Sequence, residues 1–192
     1  LAALEALGRI PNDGASLFGA VRHGGAREAA AAWTSLRERA AGVPADTLRS
    51  LLTSGLERGE RDVVWRVLRC AERAASDTAL VRVLAPFARA RPVQIRVHAL
   101  RALGAQANPA ALAALLASGE QRLLLPAADA ARARIALARA LGRVGHALLA
   151  APGAEPVPEP ELNRLADLLV EASRQRDPHV ARTALEAMAA LV

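Results

Sequence analysis

The sequence predicts an all-α protein assembled from stacked helix pairs, and three observations carry that expectation. Hydrophobic residues make up 53% of the 192 residues while aromatics make up only 2%, so Ala and Leu must build the core. Both are strong helix formers, and small Ala side chains let helices approach closely. Strand-type runs rich in Val, Ile, Thr and Tyr are missing, and Tyr is absent altogether. Finally, Leu4, Leu36, Leu68 and Leu100 recur at a spacing of 32, as do Trp33, Trp65 and Val97. A unit of about that length is two helices, which cannot bury their apolar faces alone; stacking the units in register creates the core.

Pro, Gly, Asn and Asp divide the chain into short helical segments. Asn108-Pro109 and Asp177-Pro178 read as a cap followed by the first helical position, where Pro loses nothing because its missing N–H would be unsatisfied anyway. Pro44, Pro92, Pro126 and Pro160 open helices in the same way. Gly8, Gly42, Gly104 and Gly142 fall where helices are expected to stop. The expected helices are roughly 1–8, 13–22, 25–41, 44–58, 60–75, 77–89, 92–105, 108–118, 126–146, 159–174 and 177–191. Pro86 lies inside one of them and should kink or split it.

The repeat continues with stretched intervals of 38 and 47, the latter lengthened by a Pro-bearing loop at 151–159 that is expected to be an exposed, mobile insertion. Ala6-Leu7-Gly8 recurs as Ala102-Leu103-Gly104 and as Ala140-Leu141-Gly142. Leu36, Leu68, Leu100 and Leu185 should stack neighbouring units, with Leu137 standing in beside Ala138.

The segment Ile95-Arg96-Val97-His98-Ala99-Leu100-Arg101-Ala102-Leu103-Gly104, preceded by Pro92, resembles the second helix of a HEAT repeat of the phycobilisome-lyase-like kind. Residues 133–142 repeat the pattern, and residues 177–188 do so with Ala181 where the pattern prefers Arg. The units around Trp33 and Trp65 keep the period without the full signature. The resemblance implies a right-handed α-solenoid of about five antiparallel helix pairs, with second helices lining a concave side. It also implies that Arg96 and Arg134 tie neighbouring units by hydrogen bonds. Such repeats serve many roles, so the resemblance speaks to architecture and not to activity.

All 25 basic residues are Arg, as expected of a GC-rich bacterial coding sequence, so every positive charge is a planar, bidentate-capable guanidinium. The net charge of +6 is uneven: residues 81–149 hold ten Arg against Glu120 and Asp129, whereas residues 150–192 hold four against seven acids. The lone Cys70 rules out an internal disulfide framework and reads as a small core residue. A cytoplasmic location is therefore expected, and no apolar run approaches the roughly 20 residues of a membrane span. Residues 1–192 are expected to form one repeat array, a piece of a longer chain because both ends fall on helical sequence.

No catalytic constellation emerges, and the chain is expected not to be an enzyme. The four histidines, His23, His98, His146 and His179, lack metal-ligand spacing, and no cofactor is expected. His23-Gly24-Gly25 lacks the strand and Lys of a phosphate loop. Trp33 and Trp65 read as core plugs.

One signal remains. The period places Arg37, Arg69, Arg101 and Arg139 at equivalent positions of four second helices, with Glu5 before them and Glu186 after. On three helices the position joins a mostly polar stripe: Asp62/Arg66/Arg69, Gln94/His98/Arg101 and Arg132/Ala136/Arg139. Arg73 and Arg143 extend two of these by another turn. Such a row would line the groove with guanidinium groups suited to bidentate carboxylate recognition. The reading is a protein–protein interaction scaffold that accepts an acidic segment or surface of a partner. Two rivals are a nucleic-acid-binding module, gripping a duplex as HEAT-like DNA glycosylases do, and a lyase or chaperone subunit suggested by the repeat's family name. Against all three stands the plain possibility that a Lys-free chain simply solvates its helix faces with Arg.

Overall fold

The computed structural model describes residues 19–21, 26–38, 43, 45–57, 61–120, 125–151 and 157–192. Helix accounts for 83% of the described residues, and no strand occurs among them. The expected helices at 1–8 and 13–22, apart from helical residues 19–21, lie outside them, as do Gly8, His23, Gly42 and Pro44. The chain divides into two compact units, residues 1–75 and 76–192.

The first unit contains α1 (Ala26–Glu38), α2 (Ala45–Glu57) and α3 (Arg61–Ala71). Both α1 and α2 pack on α3. In α3, Val64, Val67, Leu68 and Ala71 are all buried, at the i, i+3, i+4, i+7 spacing that puts four apolar side chains on one helical face. Leu36 and Leu68 are buried as the period requires, and Trp33, at 7% exposure, is a core residue. Trp65 departs from expectation. It is half-buried and carries the Arg69 guanidinium, whose carbon lies 4.9 Å from the ring centroid. The ring occupies the boundary next to the buried face, so one side of it remains available to a cation.

The second unit runs α4 (Thr78–Leu84), a 3-10 helix η1 (Ala85–Arg89), α5 (Val93–Gln106), α6 (Pro109–Gly119), α7 (Ala127–Ala150), α8 (Glu159–Ser173) and α9 (Pro178–Ala189). Pro86 does split its helix: α-helix ends at Leu84 and continues as η1. The caps form as expected. Asn108 Oδ1 accepts from the Ala111 N–H at 2.9 Å, and Asp177 Oδ1 accepts from His179 and Val180 at 2.9 and 3.2 Å. Asp77 caps α4 by accepting from the Leu80 N–H. Each satisfies donors that the first helical turn leaves without a partner.

Packing in this unit falls into two rows. The helices α5, α7 and α9 pack successively, and α8 packs on α6, which packs on α4 and η1. Each member of the second row also packs on its sequence neighbour in the first. The end of α5 is pinned to the start of α4 by Asp77 N–H donating to Gln106 Oε1 at 2.9 Å and Asn108 Nδ2 donating to Ser76 Oγ at 3.0 Å.

Gly104 and Gly142 do not stop helices; they lie within α5 and α7. Their role is close approach. A Cβ on Gly104 would sit 2.9 Å from Ala140 Cα, and one on Gly142 would sit 2.7 Å from Ala187 Cβ. The Ala-Leu-Gly triplet thus supplies both halves of a contact: its Ala meets the preceding helix and its Gly meets the next. Gly104 and Gly142 are separated by 38 residues, and Ala140 and Ala187 by 47, so the packing keeps the stretched register.

Leu100 is 1% exposed and stacks as expected, one turn before Gly104 on the face that α7 covers. Ala138 is buried with Leu137 half-buried beside it. Leu185 is a correction. It is 56% exposed, while its neighbour Ala184 is fully buried. Its register position faces the next second helix, and among the described residues none follows α9. Of the Pro-bearing loop, residues 152–156 lie outside the described residues, and α8 begins at Glu159.

Candidate functional site

Arg101 and Arg139 stand at the same register position on α5 and α7, two helices packed against each other, and both are exposed. Their helices bury Ala102, Leu103, Ala140 and Leu141 immediately beside them, which turns Arg101 and Arg139 outward, although Ala136 of the same stripe is itself buried. Neither guanidinium is paired with a carboxylate among the described residues.

Beyond Arg139 the stripe borders a surface cleft between α7 and α9 of about 250 Å³. Arg139, Gly142, Arg143 and His146 line it from α7, and Thr183 and Glu186 from α9. Close approach at Gly142 brings the α9 wall within reach. His146 Nδ1 donates to the Ala190 carbonyl at 2.8 Å, which fixes the ring and leaves its other nitrogen for a further partner. Glu186, which follows the Arg row in sequence, faces Arg182 at 3.6 Å and ends the basic strip.

His146 completes the spacing Arg132, Ala136, Arg139, Arg143, His146. A single His carries no metal-ligand pattern, and it is the i, i+3, i+4 continuation of the Arg stripe that marks this one. Arg132 is exposed, with its guanidinium 3.9 Å from Asp129 on its own helix. His98 is half-buried on α5.

In the first unit, Arg66 and Arg69 are half-buried on α3 and Arg69 stacks on Trp65. Arg73 does not extend a helical stripe. The helix ends at Ala71, and Arg73 lies in the turn beyond it, its N–H donating to the Cys70 carbonyl at 3.0 Å. Arg37 is on α1, but its side chain lies outside those described.

The expected inter-unit ties by Arg96 and Arg134 are not formed among the described residues. Arg96 is 5% exposed, yet its Nε and Nη2 have no hydrogen-bond partner among the described residues. Burial lowers its pKa from the usual arginine range, although a guanidinium remains charged in a protein. Arg134 is exposed.

No group of three His, Cys, Asp or Glu that could hold a metal occurs among the described residues, and Cys70 is buried. No described helix is long and apolar enough to cross a membrane. The chain matches no family model, no curated protein and no solved structure.

Proposed function

We propose that the chain is a non-catalytic scaffold, a HEAT-type right-handed solenoid of about five helix pairs, that receives an acidic protein segment along its Arg strip. The observation that carries this reading is the pair of exposed guanidinium groups of Arg101 and Arg139 on packed neighbouring helices, neither in an ion pair among the described residues, continued by Arg143 and His146 along the cleft. The two-row packing of residues 76–192 and the recurrent Gly–Ala contact support the solenoid. A guanidinium fork meets a carboxylate through two parallel hydrogen bonds, so a row of them favours an extended acidic chain over a lone anion.

The test is fluorescence anisotropy with a labelled Glu-rich peptide. Arg101→Glu with Arg139→Glu should abolish binding while leaving the helical circular dichroism unchanged. Affinity of the wild type should fall as salt rises, because exposed charges are screened over about 8 Å at physiological ionic strength. Arg82→Glu, at an exposed position on α4, should leave binding intact. Unchanged peptide binding in the double reversal would overturn the reading, and so would tighter binding of duplex DNA than of the peptide.

A further inference from the structure

A second basic cluster borders a different cleft from that of Arg139 and Arg143, toward the amino-terminal end of α7. A cavity of about 450 Å³ opens between the amino-terminal half of α7 and the turn joining α8 to α9. Three guanidinium groups border it: Arg134 from α7, and Arg174 and Arg176 from the turn. All three are exposed, and none is paired with a carboxylate among the described residues. Arg134 and Arg143 are nine residues apart, about 13 Å along a helix axis, and the two clefts share no lining residue.

The cavity lining sets one acid, Asp177, against these three guanidinium groups, so its net charge stays positive. Asp177 borders the cavity, but its Oδ1 already accepts the His179 and Val180 N–H groups in capping α9. Glu171 borders a smaller neighbouring cavity and forms no ion pair with Arg134. The opposite wall is made of Ala127, Ala128 and Ala131, whose short side chains leave the volume open. That wall is also the start of a 24-residue helix whose N-cap, Pro126, offers no side-chain hydrogen bond. The first N–H groups of α7 therefore have no acceptor within the helix, and the acid of that turn, Asp129, lies 3.9 Å from Arg132.

From this arrangement we propose that the cavity is a binding site for a phosphate monoester group, separate from the acidic-segment strip. A carboxylate offers one negative charge and one edge, which a single guanidinium satisfies. Three guanidinium groups around one cavity match a group with about two negative charges and three acceptor oxygens. The phosphate can belong to a phosphorylated side chain or to a free ion, and both present the same oxygens.

The experiment uses the full chain and titration calorimetry at constant ionic strength held with KCl. The probes are a Gly-flanked phosphoserine peptide, the same peptide with unmodified Ser, and inorganic phosphate. The phosphopeptide should bind at least about tenfold more tightly than the unmodified one, and inorganic phosphate should displace it. Arg174→Gln with Arg176→Gln should weaken that binding at least about fivefold, whereas Arg101→Gln should not change it. Binding of inorganic phosphate with no preference for the phosphopeptide, if it is lost in the double variant, supports the site and assigns it to the free ion. Equal binding of both peptides with no phosphate binding would overturn the proposal. A loss in Arg101→Gln equal to that in the double variant would also overturn it. Both substitutions are at exposed, unpaired positions, and circular dichroism checks that the fold is retained.

Discussion

The two units solve the same packing problem with side chains of different size. In the first, the position shared by Trp33 and Trp65 is filled by an indole, and Leu36 and Leu68 complete the buried face. In the second, Val97 and Ile135 hold that position and are half-buried, while Gly104 and Gly142 meet Ala140 and Ala187 at near-contact distances. The register equivalent of Gly104 in the first unit is Glu72, which follows the end of α3. One unit buries a large ring, Trp33, at this position, and the other brings helices together at Gly–Ala contacts. A period of 32 residues thus preserves spacing along the chain without preserving how each junction is filled.

Substituting the large residue should give the largest effect. Trp33→Ala is expected to cost about 3–5 kcal/mol, whereas Val97→Ala at the equivalent half-buried position should cost about 1 kcal/mol. Urea unfolding followed at 222 nm measures both. Similar losses would show that the two units do not differ in how they use this position.

The close approach predicts a smaller effect with a contrasting sign elsewhere. Gly104→Ala and Gly142→Ala should each destabilise by about 1–2 kcal/mol, because overpacking outweighs the roughly 1 kcal/mol that Ala gains in helix propensity. Gly19 has no heavy atom within 4 Å of a built Cβ, so Gly19→Ala should be neutral or stabilise by up to about 1 kcal/mol. Thermal denaturation of the three variants decides the matter; stabilisation by all three would remove the close-contact account.

The smallest effect belongs to the end of α5, where Ala107 adopts a left-handed backbone at φ 48°. Ala107→Gly should stabilise by about 0.5–1 kcal/mol, the relief of steric strain exceeding the greater entropy of the unfolded glycine. A loss of stability would show that the Ala methyl packs against the corner made by Ser76, Gln106 and Asn108.

Local chemistry was legible in the sequence because its causes are short in range. Asn108 and Asp177 cap helices through bonds to N–H groups two or three residues ahead, and Pro86 breaks a helix by lacking a donor at its own position. The Arg101 and Arg139 stripes were legible for the same reason, since one helix turn sets them. Only the tertiary structure decided burial. Arg96 and Arg134 share a register position, yet the first is enclosed and the second borders an open cavity. Leu100 and Leu185 share another, and only Leu100 has a helix against it. The meeting of Arg134 with Arg174 and Arg176, forty residues on, left no periodic trace. Side-chain direction repeats with the helix, but what covers a side chain depends on the neighbouring row, and a period in one chain carries no record of how that row is filled.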